Sequence, residues 1–321
     1  MRLLLMGTGP FCLPGFRALA QSRHELLGVV TSWPTTVRSR TFVPARGVRK
    51  FASQHGLPLF EPENVNTPEW QNRLAAMKPD ILVVCDYGRI LSPATLAVAA
   101  HGGVNLHASL LPKYRGAAPI NWAIYHGERE TGVTVTLMTP QIDAGPCIAQ
   151  ARLDILPDET AAELEPRLAE LGARVLCEAI DLLESGRAKP WPQDPALATR
   201  APRLKKSDGL IDWSRSAEAI KNHVRAMEPW PRTFTFWHPA HGRPLRVILG
   251  PVKIVPQADL QGLPHPPGSV IEAEGKRLLI AAGEGALVPQ SIQPANKRMM
   301  TIDEFLRGYH VQRGERFGPP A

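Results

Sequence analysis

The stretch GVNLHASLLPKYRGAAPI, residues 103–120, opens on an apolar run and turns into a polar loop punctuated by proline. Asn105 and His107 stand two apart, where the pattern stops reading as buried strand. Side chains alternate along an extended chain, so residues two apart share a face. In an open α/β sheet, ligands bind outside the carboxyl ends of the strands. An amide and an imidazole placed there converge on one small group. A histidine alone would more often simply hydrogen-bond backbone, so its neighbours decide the reading. SLLP sets a hydroxyl and an apolar shelf beside the strand end. KYRGAAPI then adds a glycine and small residues that let a ligand approach the backbone closely. Further on, TPQIDAGP puts Asp143 before Gly145, in a loop after another strand pattern. An aspartate there is ordinarily a turn former. Beside a histidine at a sheet crevice it becomes an orienting and charge-balancing partner.

Working outward, short apolar runs at Leu3–Met6, Leu26–Val30, Ile81–Cys85 and Val104–Leu106 read as buried strands. Between them TPEW (Thr67 as cap, Pro68 first) and SPAT (Ser92, Pro93) open helices. Val133–Met138 and Cys147–Leu156 read as further strands. TAAE (Thr160–Glu163) reads as a capping box before a long helix with a stripe of Leu164, Leu168, Leu171 and Val175. Such alternation predicts an α/β domain over residues 1–185, a mostly parallel sheet covered by helices. GTGP (Gly7–Pro10) follows the first strand, but position 12 is cysteine and no ribose-binding acid follows the second strand. The glycines are therefore read as serving a tight strand-to-helix turn rather than a dinucleotide site.

Residues 186–207, GRAKPWPQDPALATRAPRLKKS, carry four prolines and little apolar periodicity, the pattern of an interdomain linker with a basic end. Beyond it, over 208–321, one helix pattern precedes short strand-like segments with Gly/Pro turns between them. These predict a small β-barrel closed off by a capped helix at Thr301–Glu304.

At 321 residues, two domains are the default, and 44% hydrophobic residues supply ample core. No apolar run approaches the ~20 residues of a membrane span, and MRLLLMGTGPF reads as a first core strand, so a cytoplasmic protein is expected. Cys12, Cys85, Cys147 and Cys177 are scattered without any C-x-x-C, and His101, His107 and His126 lack ligand spacing, so neither disulfides nor a metal are expected. The net charge of +7 is concentrated. No acid lies between Glu25 and Glu61, a gap holding Arg38, Arg40, Arg46, Arg49 and Lys50. A second cluster comprises Arg200, Arg203, Lys205 and Lys206. Two basic clusters far apart in sequence point to a polyanionic partner, nucleic acid being the commonest.

NLHASLLPKYRGAAPINW together with TGVTVTLMTPQIDAG closely resembles the folate-dependent formyltransferases, whose catalytic Asn, His and Asp fall on Asn105, His107 and Asp143. The resemblance assigns folate binding to Ser109, Leu110, Leu111 and Pro112, and to the loop with Asp86, Tyr87, Gly88 and Leu91. In the second half, IDWSRSAEAIKNHVRAMEPWPRTFT and IQPANKRMMTIDEFLRGY resemble the branch of that family acting on methionyl initiator tRNA. The resemblance implies a Rossmann-like N-terminal domain and an OB-like C-terminal barrel. It also implies formyl transfer from 10-formyltetrahydrofolate to the amino group of methionyl initiator tRNA by a monomer, with Arg38, Arg40, Arg46, Arg49, Lys50, Arg203, Lys205 and Lys206 on the tRNA. Three positions depart from the family pattern: PTTVRSRTF replaces a glycine-rich loop, Pro146 replaces an acid, and Asp86 stands where alanine is frequent. The rival acceptor is a sugar-nucleotide amine, which SLLPKYRG and DAG would suit equally. A formate-releasing hydrolase would need no polyanion surface. A non-catalytic nucleic-acid binder would leave Asn105, His107 and Asp143 without purpose.

Overall fold

The computed structural model describes residues 1–32, 46–260 and 265–319, which divide into two compact units. The first comprises Met1–Ile120, Glu130–Ile155 and Glu163–Arg203, and the second Asn121–Arg129, Leu156–Ala162 and Leu204–Ala321. Up to residue 203 the elements run β1 (Arg2–Met6), α1 (Leu13–Ala20), β2 (Glu25–Val30), α2 (Arg46–Gln54), β3 (Leu59–Phe60), α3 (Pro68–Ala76), β4 (Ile81–Cys85) and α4 (Pro93–Leu96). They continue with β5 (Gly103–His107), β6 (Arg115–Gly116), α5 (Pro119–Tyr125), β7 (Glu130–Leu137), β8 (Cys147–Asp154), α6 (Ala161–Glu184) and β9 (Arg200–Ala201).

Seven of these strands form one sheet in the order β3-β2-β1-β4-β5-β7-β8. β1 to β5 run parallel, and β7 and β8 close one edge antiparallel. The expected α/β sheet is in place. β4 is buried at all five positions, which is why its sequence ILVVC is an unbroken apolar run rather than an alternating one. Leu4, Met6, Leu82 and Val84 pack on one face with Leu74 of α3 and Leu96 of α4. α6 lies against β5 so closely that a Cβ on Gly172 would meet Leu106 Cδ2 at 2.9 Å. Thr67 and Ser92 cap α3 and α4 by accepting from the amides of Trp70 and Thr95.

The chain leaves β1 toward β2 and β3, then returns on the other side through β4 and β5. Strand order therefore reverses between β1 and β4, and the crevice outside their carboxyl ends is the binding position of such a sheet. The proline-rich stretch beyond α6 is tied down along much of its length. Trp191 exchanges two backbone hydrogen bonds with Cys147, and β9 pairs in parallel with β6. Through Arg203 it belongs to the first unit.

The second unit contains α7 (Ala217–Ala226), β10 (Phe234–His238), β11 (Leu245–Leu249), β12 (Val252–Val255), β13 (Val270–Glu274), β14 (Arg277–Ala281), β15 (Ala286–Pro289), β16 (Ser291–Pro294), β17 (Met300–Thr301), α8 (Ile302–Tyr309) and β18 (Arg316–Gly318). Two antiparallel sheets, β17-β16-β11-β10-β18 and β12-β15-β14-β13, join at both ends. Gly250 and Gln290 continue the pairing from β11/β16 into β12/β15, while Val270 and Phe317 bond across from β13 to β18. The circuit is consistent with the OB-like barrel expected. Trp213, Val247, Leu278, Leu287, Phe305 and Phe317 fill its core. The buried Arg225 of α7 holds residues 156–162 by donating to the carbonyls of Leu156 and Glu159, at 3.2 and 3.1 Å. No helix among the described residues is long and apolar enough to cross a membrane.

Phe305 is fully buried, with ring centroids 4.8 Å from Tyr309 and 6.0 Å from Trp237. Phe305→Ala is expected to cost about 3–5 kcal/mol, read as a fall in the urea midpoint of the full chain. A change below about 1 kcal/mol would contradict this packing.

Candidate active site

β5 ends at the carboxyl edge of the sheet with Asn105 half-buried and His107 buried, both directed to the same side by the pleat. His107 Nε2 lies 2.9 Å from the Tyr114 carbonyl oxygen. A carbonyl only accepts, so Nε2 carries the proton of this bond. That leaves Nδ1 on the side of Asp143, 3.7 Å from Oδ1, beyond hydrogen-bond reach. Asp143 is held independently. Its Oδ1 accepts from Asn105 Nδ2 at 3.2 Å, and its Oδ2 accepts from the Gly116 amide at 2.9 Å. The three residues singled out in the sequence therefore meet at one point, with the carboxylate fixed and, among the described residues, no hydrogen-bond partner on His107 Nδ1.

The supports of this cluster come from elements far apart in sequence. Gly116 sits at φ +130 so close to β9 that a Cβ would lie 2.4 Å from the Ala201 carbonyl oxygen. Only glycine lets β6 run against β9 there and turn its amide onto Asp143. Gln193 Nε2 donates to the carbonyls of Asp143 and Gly145 at 2.9 and 2.8 Å, while its Oε1 accepts from Arg115 Nε and Nη2. The SLLP turn rests on β7 and β8. Thr134 Oγ1 donates to the Ser109 carbonyl at 2.6 Å, and Gln150 Nε2 donates to Thr134 Oγ1 and to the Leu111 carbonyl.

Gln193, Arg115, Thr134, Gln150 and the Tyr114 carbonyl are not anticipated by the sequence reading. Thr134 and Gln150 are paired across β7 and β8, a partnership that the separate strand sequences do not announce. Gln193 leaves no signal, since it sits in a segment that reads as linker.

Ser109 is fully buried and its hydroxyl donates to the Lys113 carbonyl at 2.7 Å, closing the turn. Leu111 is buried, whereas Leu110 and Pro112 are partly open. Tyr87 and Leu91 join the core under the sheet, and Gly88 takes a left-handed turn at φ 74. Asp86 also has a left-handed backbone, at φ 49, and solvent reaches it. Its carboxyl nevertheless packs against Gly9 of the turn after β1. Desolvation first, then the nearby Glu165, pushes it up to about 7.

Of the basic residues, Arg46 and Lys50 are exposed on α2, while Arg49 is paired with Glu61 at 2.6 Å. Arg203, Lys205 and Lys206 are exposed. Arg38 and Arg40 lie outside the described residues.

A parallel sheet with an Asn–His–Asp cluster at its carboxyl edge, followed by a β domain, defines a class that comparison makes specific. Residues 1–180 match the family model "Formyl transferase" and residues 203–310 match "Formyl transferase, C-terminal domain". The chain belongs to the formyl transferase family. Among its relatives, the methionyl-tRNA formyltransferase of Rhodopirellula baltica is 42% identical over 332 residues, covering 100% of this chain and 97% of that one. The methionyl-tRNA formyltransferase of Moorella thermoacetica is 40% identical over 320 residues, covering 99% of each. Among solved structures, the N-formyltransferase from Helicobacter canadensis in complex with folinic acid and dTDP-3-aminofucose superposes with a TM-score of 0.67. That match is at 16% identity, covers 91% of this chain and 98% of that one, and supports the fold.

Gln193→Ala removes both bonds to the Asp143–Gly145 backbone. Misplacing a catalytic group by an ångström costs about 10²-fold, so kcat should fall by roughly that factor while KM for the donor changes little. A kcat equal to wild type in steady-state assays would show that the loop does not need this brace.

Proposed function

We propose that the chain transfers the formyl group of 10-formyltetrahydrofolate to the α-amino group of methionyl initiator tRNA, for translation initiation. The observation carrying the chemistry is the Asp143 carboxylate fixed between Asn105 and Gly116 beside an imidazole whose Nδ1 has no hydrogen-bond partner among the described residues. The choice of acceptor is supported by end-to-end similarity to proteins named methionyl-tRNA formyltransferase. The choice of a folate donor is supported by the folinic acid in the Helicobacter canadensis structure. Residues 1–185 act as the catalytic domain, 186–207 as a basic connector and 208–321 as the tRNA-binding domain of a cytoplasmic monomer.

Attack of the amine on the formyl carbon produces a tetrahedral oxyanion. Asn105 Nδ2 has two hydrogens, and Asp143 takes one. The second is available to the oxyanion. His107 Nε2–H is committed to Tyr114, so the imidazole acts through Nδ1. Neutral, Nδ1 accepts a proton from the attacking amine. Protonated, it donates to the oxyanion or passes the proton toward the leaving nitrogen. Asp143 fixes the amide, balances the imidazolium and needs no proton itself.

The donor lies against Leu110, Pro112 and Gly88. The side chains of Ser109, Leu111, Tyr87 and Leu91 are buried, so these four support it through backbone shape. Arg46, Lys50, Arg203, Lys205 and Lys206 meet tRNA phosphates, with Arg38 and Arg40 joining them.

His107→Ala and Asp143→Ala should each lower kcat by about 10²–10³, the usual loss of an oxyanion-stabilising group, and leave tRNA affinity unchanged. An acid-gel shift assay of methionyl initiator tRNA and filter binding read the two quantities. Normal kcat in either variant would sink the mechanism. Lys205→Ala with Lys206→Ala should raise KM for tRNA and make the slope of log affinity against log salt shallower, by about one for each phosphate no longer neutralised. An unaltered salt slope would remove these residues from the interface.

A further inference from the structure

The second unit carries a sheet face that the site described above does not use. Burial alternates along β10, with Thr235 and Trp237 turned into the barrel and Phe234, Phe236 and His238 turned outward. The register sets Ile248 beside Phe234, Arg246 and Gly318 on either side of Phe236, and Arg316 beside His238. Two half-buried aromatic rings thus stand on an outer surface among cations. The Arg246 guanidinium lies over the Phe234 ring at 4.1 Å, and the rings of Phe234 and Phe236 meet edge to face at 6.2 Å. On the other flank of Phe236, Gly318 brings no side chain of its own. The Arg316 guanidinium folds over that glycine, its Nε and Nη2 each 3.2 Å from where a Cβ would stand. Phe236 is therefore flanked by guanidiniums from both neighbouring strands.

The outward positions of β10, β11, β16 and β18 carry no acid, and among the described residues neither Arg246 nor Arg316 has an ion pair. The stretches outside the description contain no aspartate or glutamate. Glu315, the acid next to Arg316 in sequence, is committed to Trp237 Nε1 at 2.8 Å and to the Ala240 amide at 2.9 Å. The face is continuous with Lys205 and Lys206, already proposed to meet tRNA phosphates. The turn Lys206–Gly209 brings Gly209 so near that a Cβ there would lie 3.3 Å from Phe234 Cδ1. We infer that this face takes an unpaired nucleotide of the RNA partner, its base stacked on Phe236 and the flanking phosphates on Arg246 and Arg316. The inference rests on the proposed function for RNA as the partner, and adds how the second unit reads it. A duplex keeps its bases stacked on one another and offers such a face only phosphates. An unpaired base presents its own plane to an aromatic ring. An acidic peptide would meet the arginines and leave the Phe236 ring without a matching plane.

The test measures binding of a fluorescein-labelled single-stranded oligoadenylate of about eight nucleotides to the full chain by anisotropy, beside a blunt RNA duplex of equal length. Phe236→Leu keeps the apolar cover and removes the ring, Phe236→Trp keeps a ring, and Arg246→Ala and Arg316→Ala each remove a cation. Phe236→Leu should weaken binding of the single strand by about tenfold and leave the duplex unchanged, with Phe236→Trp at wild-type affinity or above. Each arginine variant should make the slope of log affinity against log salt shallower by about 0.7 for the single strand. Single-strand affinity unaffected by Phe236→Leu, or lost equally from single strand and duplex, overturns the inference. Polyglutamate displacing the strand as readily as unlabelled oligoadenylate of equal charge also overturns it, and would assign the face to an acidic protein. Ring-dependent binding by a wild type that leaves methionyl initiator tRNA unformylated would overturn the proposed function instead, so the two failures are distinct.

Discussion

The carboxylate of Asp143 is the fixed point on which the rest of the site depends. It is bound by an amide from the central sheet and a backbone N–H from the loop beyond it, so two separately folded pieces of chain share one acceptor. Hydrogen bonds to an ionised acceptor are about twice as strong as neutral ones. Removing the charge would release Asn105 and Gly116 together, leaving a half-buried amide and a backbone donor without partners. The large-scale fold serves the same point. β9 must pair with β6 for Gly116 to present its amide, and Gln193 must lie back over the loop for Asp143 to keep its backbone.

What the sequence conveys and what it withholds follow one physical distinction. The parallel sheet is legible because burial on both faces forces unbroken apolar runs such as ILVVC. The α3 and α4 starts are legible because the Thr67 and Ser92 caps use local chemistry. Asn105 and His107 are legible because strand period fixes which residues share a face. Asp143 requires a judgement about a loop, which the neighbouring histidine tips. Gln193 is not legible at all. Its role arises from a long-range return of the chain that proline content disguises as linker. The direction of a buried side chain is equally hidden. Tyr87 and Leu91 sit in the loop assigned to the donor, yet both pack into the core beneath it.

The second unit divides legibility in the same way. Turn-punctuated short strands announce an antiparallel β domain. They do not announce that residues 121–129 and 156–162 belong with it. That association is made by long-range contacts, among them Tyr125 against the His223 ring, Arg215 over Tyr125 and Lys221 paired with Asp158. Arg225 spends its guanidinium on carbonyls of the crossover, and Asn121 donates to the Ala226 carbonyl at 2.7 Å. A buried arginine costs desolvation unless its donors are satisfied. The sequence shows only an arginine on a helix that could equally have faced phosphate.

Backbone conformation concentrates around the crevice in a way that links these features. Asp86, Tyr114 and Asp143 are non-glycine residues with φ of 49, 62 and 50, and each borders the carboxyl ends of β4 and β5. Left-handed conformations cost such residues energy and persist where surrounding contacts determine them. Here each one has a purpose. The bend at Tyr114 aims its carbonyl at His107 Nε2, which selects the tautomer. At Asp143 it turns the carboxylate back toward β5. At Asp86 it swings a charge onto Gly9. The bends at Tyr114 and Asp143 bring groups from two loops onto the end of β5. The strain is thus placed where the chemistry needs direction rather than stability.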